Sequence, residues 1–288
     1  MTDRYDLLLA GNNDDVLTVL AASIPSARQS RKLGCVRLWN VDAEDLTPDI
    51  LGFANEAGID LLTLPLNLSA KRFRVAFFDM DSTLIDGECI DDMANILGRR
   101  GEIAHLTRAA MEGGLPFADS LRQRMALLAG GGADIVAQTL ERMRPMPGAE
   151  TFIRFLSRYD IKTYILTGGF EDMAAFVARR FGMTGYVANR LEWRHGRLTG
   201  QVSGPAGGRI LDADGKRRAM EVLAQTHGAS LKQCIAGGDG ANDLEVIRAA
   251  GFGFAYHGKP LVMTEAPYSV RFGDFSVLMH CFEEAWES

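Results

Sequence analysis

The sequence predicts an α/β fold: a doubly wound parallel sheet, interrupted by an inserted helical cap and preceded by a small N-terminal α/β domain. Three observations lead there. Short apolar runs alternate with segments of helical periodicity over most of the chain, the rhythm of a parallel sheet covered by helices on both faces. Three of those runs end abruptly in polar loops: VAFF runs into DMDST, TYIL into TGG, and CIAG into GDGAND. Between the first loop and the next apolar run, residues 88–144 carry helical periodicity alone, so that stretch reads as an insertion.

Taken in order, a strand is expected at 5–10, a helix at about 14–22 and a second strand at 35–41. A helix follows at about 43–57, with Leu46, Ile50, Phe53 and Ala57 on one stripe, and then a strand at 60–66. Asn67 to Arg74 is polar, ends in KRFR and reads as a linker. The N-terminal domain is therefore placed at 1–70. The core opens with a strand at 75–78. The helical stretch after it is broken at Gly98, at Gly113 and Gly114 with Pro116, and by the glycines at 130–132, which predicts four helices. Pro145 and Pro147 close it. Beyond them come a helix at 149–159, a strand at 162–166, a helix at 170–181 and a hairpin turning at His195-Gly196. A helix at 216–226, a strand at 233–236, a helix at 243–250 and a strand at 252–255 complete the reading. The core is thus assigned to 71–87 and 147–288, and the cap to 88–146.

Composition sets limits. With 288 residues, 47% hydrophobic and 24% charged, the chain can bury a large core without disulfides or structural metals. A net charge of -6 weighs against nucleic acid, which usually demands a basic face. It does not weigh against a small phosphorylated substrate, because a few local cations and one metal can reverse the field inside a cleft. Cys35, Cys89, Cys234 and Cys281 show no CxxC spacing and are expected as free thiols. The first residues lack a signal-peptide pattern, and no apolar run reaches the roughly 18 residues of a membrane span. No membrane partner is expected, and the cytoplasm is the default location.

The chemistry should lie beyond the carboxyl ends of the parallel strands, where open α/β sheets bind ligands. Asp79 and Asp81 in DMDST can take different roles if the chain turns sharply between them: one carboxylate attacks phosphorus, the other manages protons. Asp239, Asn242 and Asp243 in GDGAND offer hard oxygen ligands of the kind magnesium prefers. Thr167, Gly168 and Gly169 offer a hydroxyl and backbone N–H groups to phosphate oxygens. Lys216 opens the helix before the GDGAND strand and can screen phosphoryl charge. Each feature has a plainer reading alone: a solvated acidic turn, a glycine-rich helix cap, an ordinary strand–helix turn, a surface lysine.

In this order, DMDST, TGG, Lys216 and GDGAND resemble the four motifs of the haloacid dehalogenase (HAD) superfamily, and the helical insert resembles that superfamily's first type of cap. ECIDDMA, AMEGGLPFADSLRQRM, ILTGGF, ANRLEW and AGGDGANDL are similar to the phosphoserine phosphatase family within it, over about residues 74–270. The resemblance implies a HAD-like Rossmannoid core and hydrolysis of O-phospho-L-serine through an aspartyl-phosphate, the last step of serine biosynthesis. By position it implies Asp79 as nucleophile and Asp81 as acid and base. Mg2+ would be held by Asp79, the Asp81 carbonyl and Asp239, while Asn242 and Asp243 orient water, metal or Lys216. Thr167, Gly168 and Lys216 would bind phosphate, Glu88 the substrate ammonium and Arg124 its carboxylate, with Met111 and Phe117 lining the pocket. A homodimer is compatible with this reading.

The chain departs from the family in carrying Thr167 where serine is usual, and the glycine-rich stretch before Lys216 is atypical. Residues 1–70 look like a shortened amino-acid-binding regulatory module of ferredoxin-like (ACT-like) type. Two rivals stay open: a phosphotransferase or phosphatase for another small phosphomonoester, and a non-enzymatic phosphoacceptor or sensor. Asp81 speaks against the latter, because an acyl-phosphate that must persist has no use for an acid–base carboxylate beside it.

Overall fold

The computed structural model describes residues 4–113 and 115–287, and for 108–113 the backbone alone. The N-terminal unit runs β1 (Arg4–Ala10), α1 (Asp14–Ser23), β2 (Arg28–Lys32), β3 (Cys35–Asp42), α2 (Pro48–Glu56) and β4 (Asp60–Leu64). Its strands lie in the order β2-β3-β1-β4, every neighbouring pair antiparallel, which is the split β-α-β arrangement. The second helix starts later than its apolar stripe suggests. Residues Ala43–Asp45 form a single 3-10 turn, and the α-helix begins where Thr47 caps the Ile50 N–H and Pro48 supplies a first residue that needs no donor.

The core sheet has the order β11-β10-β9-β5-β6-β7-β8, built from β5 (Val75–Phe78), β6 (Lys162–Phe170), β7 (Gly185–Arg194), β8 (Arg197–Ser203), β9 (Cys234–Gly238), β10 (Phe252–Tyr256) and β11 (Tyr268–Val270). All neighbours are parallel except β7 and β8, which form the hairpin through His195 and Gly196. β5 is apolar on both faces and wholly buried, as a central parallel strand must be. From β5 the chain first builds outward through β6 and β7, then returns to place β9 on the other side. The switch point, and with it the crevice, therefore lies beyond the carboxyl end of β5.

Between β5 and β6 stand α3 (Cys89–Ile96), α4 (Arg100–Gly113), α5 (Phe117–Ala126) and α6 (Ala133–Arg142), the four cap helices among the described residues. α7 (Ala149–Arg158), α8 (Glu171–Phe181), α9 (Ala213–Thr226) and α10 (Leu244–Ala249) cover the sheet, and α11 (Pro260–Glu265) and α12 (Ser276–His280) follow.

The N-terminal sheet is buried on both faces. Leu7, Leu9, Val36 and Leu38 pack under α1 with Leu17 and Leu20. Leu8, Cys35, Leu62 and Leu64 belong instead to the main core, together with Leu278 and Phe282 of the C-terminal segment. Arg37 crosses this junction without solvent exposure: its guanidinium donates to Asp6 and to the Cys281 carbonyl. Asp60 accepts hydrogen bonds from the backbone N–H groups of Arg271, Phe272 and Gly273. All four cysteines are free and buried. No described helix is long and apolar enough to cross a membrane.

Candidate active site

β5 delivers Asp79 to the sheet edge, where its N–H is held by the Gly237 carbonyl at the end of β9. The chain then doubles back: the N–H groups of Thr83, Leu84 and Ile85 all reach the Met80 carbonyl, and Ser82 takes a left-handed φ of 56°. That turn separates the two carboxylates. Asp79 points at Lys216, whose Nζ lies 2.7 Å from its Oδ1 and 2.7 Å from Asp243 Oδ1. Asp81 points toward the cap and accepts the Cys89 N–H at 2.9 Å. Gly169 lets it sit there, because a Cβ on that residue would lie 2.7 Å from Asp81 Oδ2.

The GDGAND loop follows β9 and ends in a tight turn. Asp243 accepts the Gly240 N–H as well as the lysine, while Asp239 takes the buried Thr83 hydroxyl and lies with its backbone carbonyl on the Lys259 N–H. At the end of β6 the Thr167 hydroxyl accepts the Gly169 N–H, which closes that loop locally.

Asp79, Asp81, Asp239, Thr167, Gly168, Gly169 and Asn242 from the core, with Glu88, Phe117 and Arg124 from the cap, line one cleft of about 600 Å³. Lys216 and Asp243 lie just behind Asp79, each 1% exposed. The side chain of Met111, expected in the pocket, lies outside the described residues. The sequence reading missed three contributors. Asn189 is fully buried and ties the Gly168 carbonyl to the Leu211 N–H. Thr83 and Lys259 both brace Asp239. Asn189 stands in ANRLEW, an apolar alternation that signals a strand and not a clamp. Lys259 lies in a loop without a motif.

The crowd of acids is electrostatically costly. Burial, and next to it the Asp79 charge, push the Asp81 carboxyl up to about 6, against the hydrogen bonds from Cys89. Asp239 is raised by burial and by Asp79, with Lys259 and Lys216 pulling back. Glu88 opens to solvent at the cleft mouth, yet enclosure of its inner side and the carboxylates of Asp81, Asp79 and Asp239 raise it too. Burial lowers Lys216, but Asp243 and Asp79 outweigh it and hold the ammonium charged. Burial, with the charges of Asp79 and Asp239, raises the Asp243 carboxyl, and Lys216 opposes that. Such an array calls for cations.

Oxygens of Asp79, Asp239 and Asp243 lie within 4.8 Å of one another, all buried. The donor set is carboxylate only, with no nitrogen or sulfur, and suits a hard divalent ion. Asp243 is already committed to Lys216 and Gly240, which leaves Asp79 and Asp239 with the freer oxygens. The Asp81 side chain is not part of this group.

The family model for haloacid dehalogenase-like hydrolases matches residues 73–251. A phosphoserine phosphatase of Mycobacterium tuberculosis is 38% identical over 217 residues, 75% of this chain and 52% of that protein, so the chain spans about half the length of that relative. A phosphoserine phosphatase of Albidiferax ferrireducens is 38% identical over 221 residues, 76% of this chain and 92% of that protein. A HAD-family hydrolase from Salmonella enterica serovar Typhi has a TM-score of 0.83 at 26% identity, over 97% of this chain and 99% of that one. The structure of a phospho-aspartyl intermediate analogue of phosphoserine phosphatase has a TM-score of 0.67 at 31% identity, over 73% of this chain and 99% of that one. By sequence, fold and cleft together, this chain belongs to the haloacid dehalogenase-like hydrolases.

Proposed function

We propose that the chain is a Mg2+-dependent phosphoserine phosphatase. Asp79 attacks the phosphorus of O-phospho-L-serine, the bond from phosphorus to the serine oxygen breaks, and Asp81 gives that oxygen its proton. Asp81 then takes a proton from a water that attacks the aspartyl-phosphate, which frees phosphate and restores Asp79. The observation that carries this reading is the division of labour between two carboxylates two residues apart. Asp79 is held on a buried ammonium and Asp81 is turned away from it, toward the cap.

Asp79 and Asp239, with the Asp81 carbonyl, would hold the ion, which supplies charge compensation for the phosphoryl group. Thr167, Gly168, Gly169, Asn242 and Lys216 would receive the phosphate oxygens. Phosphoserine adds an ammonium and a carboxylate, for which the cap offers Glu88 and Arg124 on the same cleft. The relatives' names support the substrate. Residues 1–70, 71–87 with 147–288, and 88–146 are proposed as N-terminal domain, core and cap.

Phosphate release from O-phospho-L-serine, measured with Mg2+ and with chelator, tests the proposal. Turnover should require the ion, and Asp79→Asn should remove it by a factor of about a thousand or more. Phosphoserine handled no better than a generic phosphate ester would end the substrate assignment, and an active Asp79→Asn would end the covalent mechanism.

A further inference from the structure

Phe117 begins α5 in the cap, and its ring rests on Gly168 at the end of β6 in the core. A Cβ built on Gly168 would lie 2.6 Å from Phe117 Cζ, 3.3 Å from Cε1 and 3.5 Å from Cε2. At those distances a methyl group could enter only if the ring shifted. Asn189 holds the Gly168 carbonyl at 2.8 Å, so the core side of the contact is fixed from behind. A methyl there could be accommodated only by displacing the ring, and the ring belongs to the cap.

We infer that the flat, side-chain-free face of Gly168 is the seat on which Phe117 sets the cap, so that this pair positions Glu88 and Arg124 over the reacting phosphate. Gly168 is then a positioning residue for the cap in addition to any backbone contact it makes with phosphate. The inference rests on the proposed function, because it concerns how that same cleft closes.

A double-mutant cycle tests it. Gly168→Ala should lower kcat/KM for O-phospho-L-serine by about tenfold to a hundredfold, mostly through KM, because a displaced cap holds the substrate's amino-acid end poorly. Phe117→Leu alone should cost less, about severalfold, since it keeps an apolar roof. The combined variant should recover much of the Gly168→Ala loss, because the smaller, flexible side chain yields to the new methyl. Thermal melting of all four proteins identifies any variant that fails to fold; where Gly168→Ala does not fold, Phe117→Ala on the parent carries the test, and it should raise KM for O-phospho-L-serine severalfold while leaving KM for a phosphomonoester without an amino-acid end unchanged, an equal effect on both overturning the inference. Independent losses that multiply in the combined variant overturn the inference and leave the function standing. A parent protein inactive on phosphoserine overturns both.

Discussion

In the proposed mechanism Asp81 has two jobs, and its surroundings suit both. Burial and the neighbouring Asp79 charge raise its carboxyl to about 6, so near neutrality it can both give and accept a proton. Asp81→Asn should lower kcat by about a hundredfold to ten-thousandfold in steady-state phosphate release, and near-normal turnover would remove it from the proposed mechanism. Arg124 makes a different kind of prediction. Its guanidinium is half-buried in the cleft, fixed from one side by the Ser120 carbonyl. Arg124→Lys loses the fork and should raise KM for O-phospho-L-serine by about tenfold, while a phosphomonoester without a carboxylate keeps its KM. Equal effects on both substrates would argue against carboxylate recognition. Asp79, Asp81 and Asp239 were legible because each directly follows an apolar strand in a short motif, whereas Arg124, inside a cap helix, was reached only through the family resemblance of that segment. Asn189 was not legible, since nothing in its own neighbourhood names a partner: its contacts are Gly168 and Leu211, brought together only by the fold.

At the scale of elements, β7 acts through that asparagine on the end of β6 and on the segment leading into α9, which carries Lys216. Asn189→Asp keeps an acceptor for the Leu211 N–H but faces the Gly168 carbonyl with an oxygen. It should lower stability by about 1–3 kcal/mol in urea unfolding and reduce kcat/KM together; unchanged values for both would show that the clamp is dispensable. The same scale shows where periodicity stops being informative. The central strands stood out as unbroken apolar runs ending in polar motifs, and the cap helices as longer amphipathic repeats. β2 did not, because RQSRK is an exposed edge with no buried face to write into the sequence, and its place is set by pairing with β3. β11 and α12 are three and five residues long, too short for any period to register.

At the scale of the whole molecule, the N-terminal unit is joined to the core by polar contacts as well as by apolar packing. Glu284, 2% exposed in its side chain, accepts the Ser69 hydroxyl and the Ala70 N–H. Burial raises its carboxyl, but those bonds and Lys71 outweigh it, and the net shift is below 4.5. Between the lowered folded value and 4.5 the unfolded chain binds the extra proton, so the contribution is present above 4.5 and is lost as the pH falls through the folded value. Glu284→Gln should therefore be less stable than the parent near neutrality by about 1–3 kcal/mol, with the gap closing in acid; a gap independent of pH would dissociate the effect from the charge. The central strand has a consequence of another kind. Val75 pairs with Lys162 on one side and with Cys234 on the other. During vectorial synthesis, β5 must therefore wait, flanked by neither neighbour, until most of the polypeptide has left the ribosome. The N-terminal sheet waits longer still for the segment that covers its second face, so these stretches are where a nascent chain has most need of a chaperone.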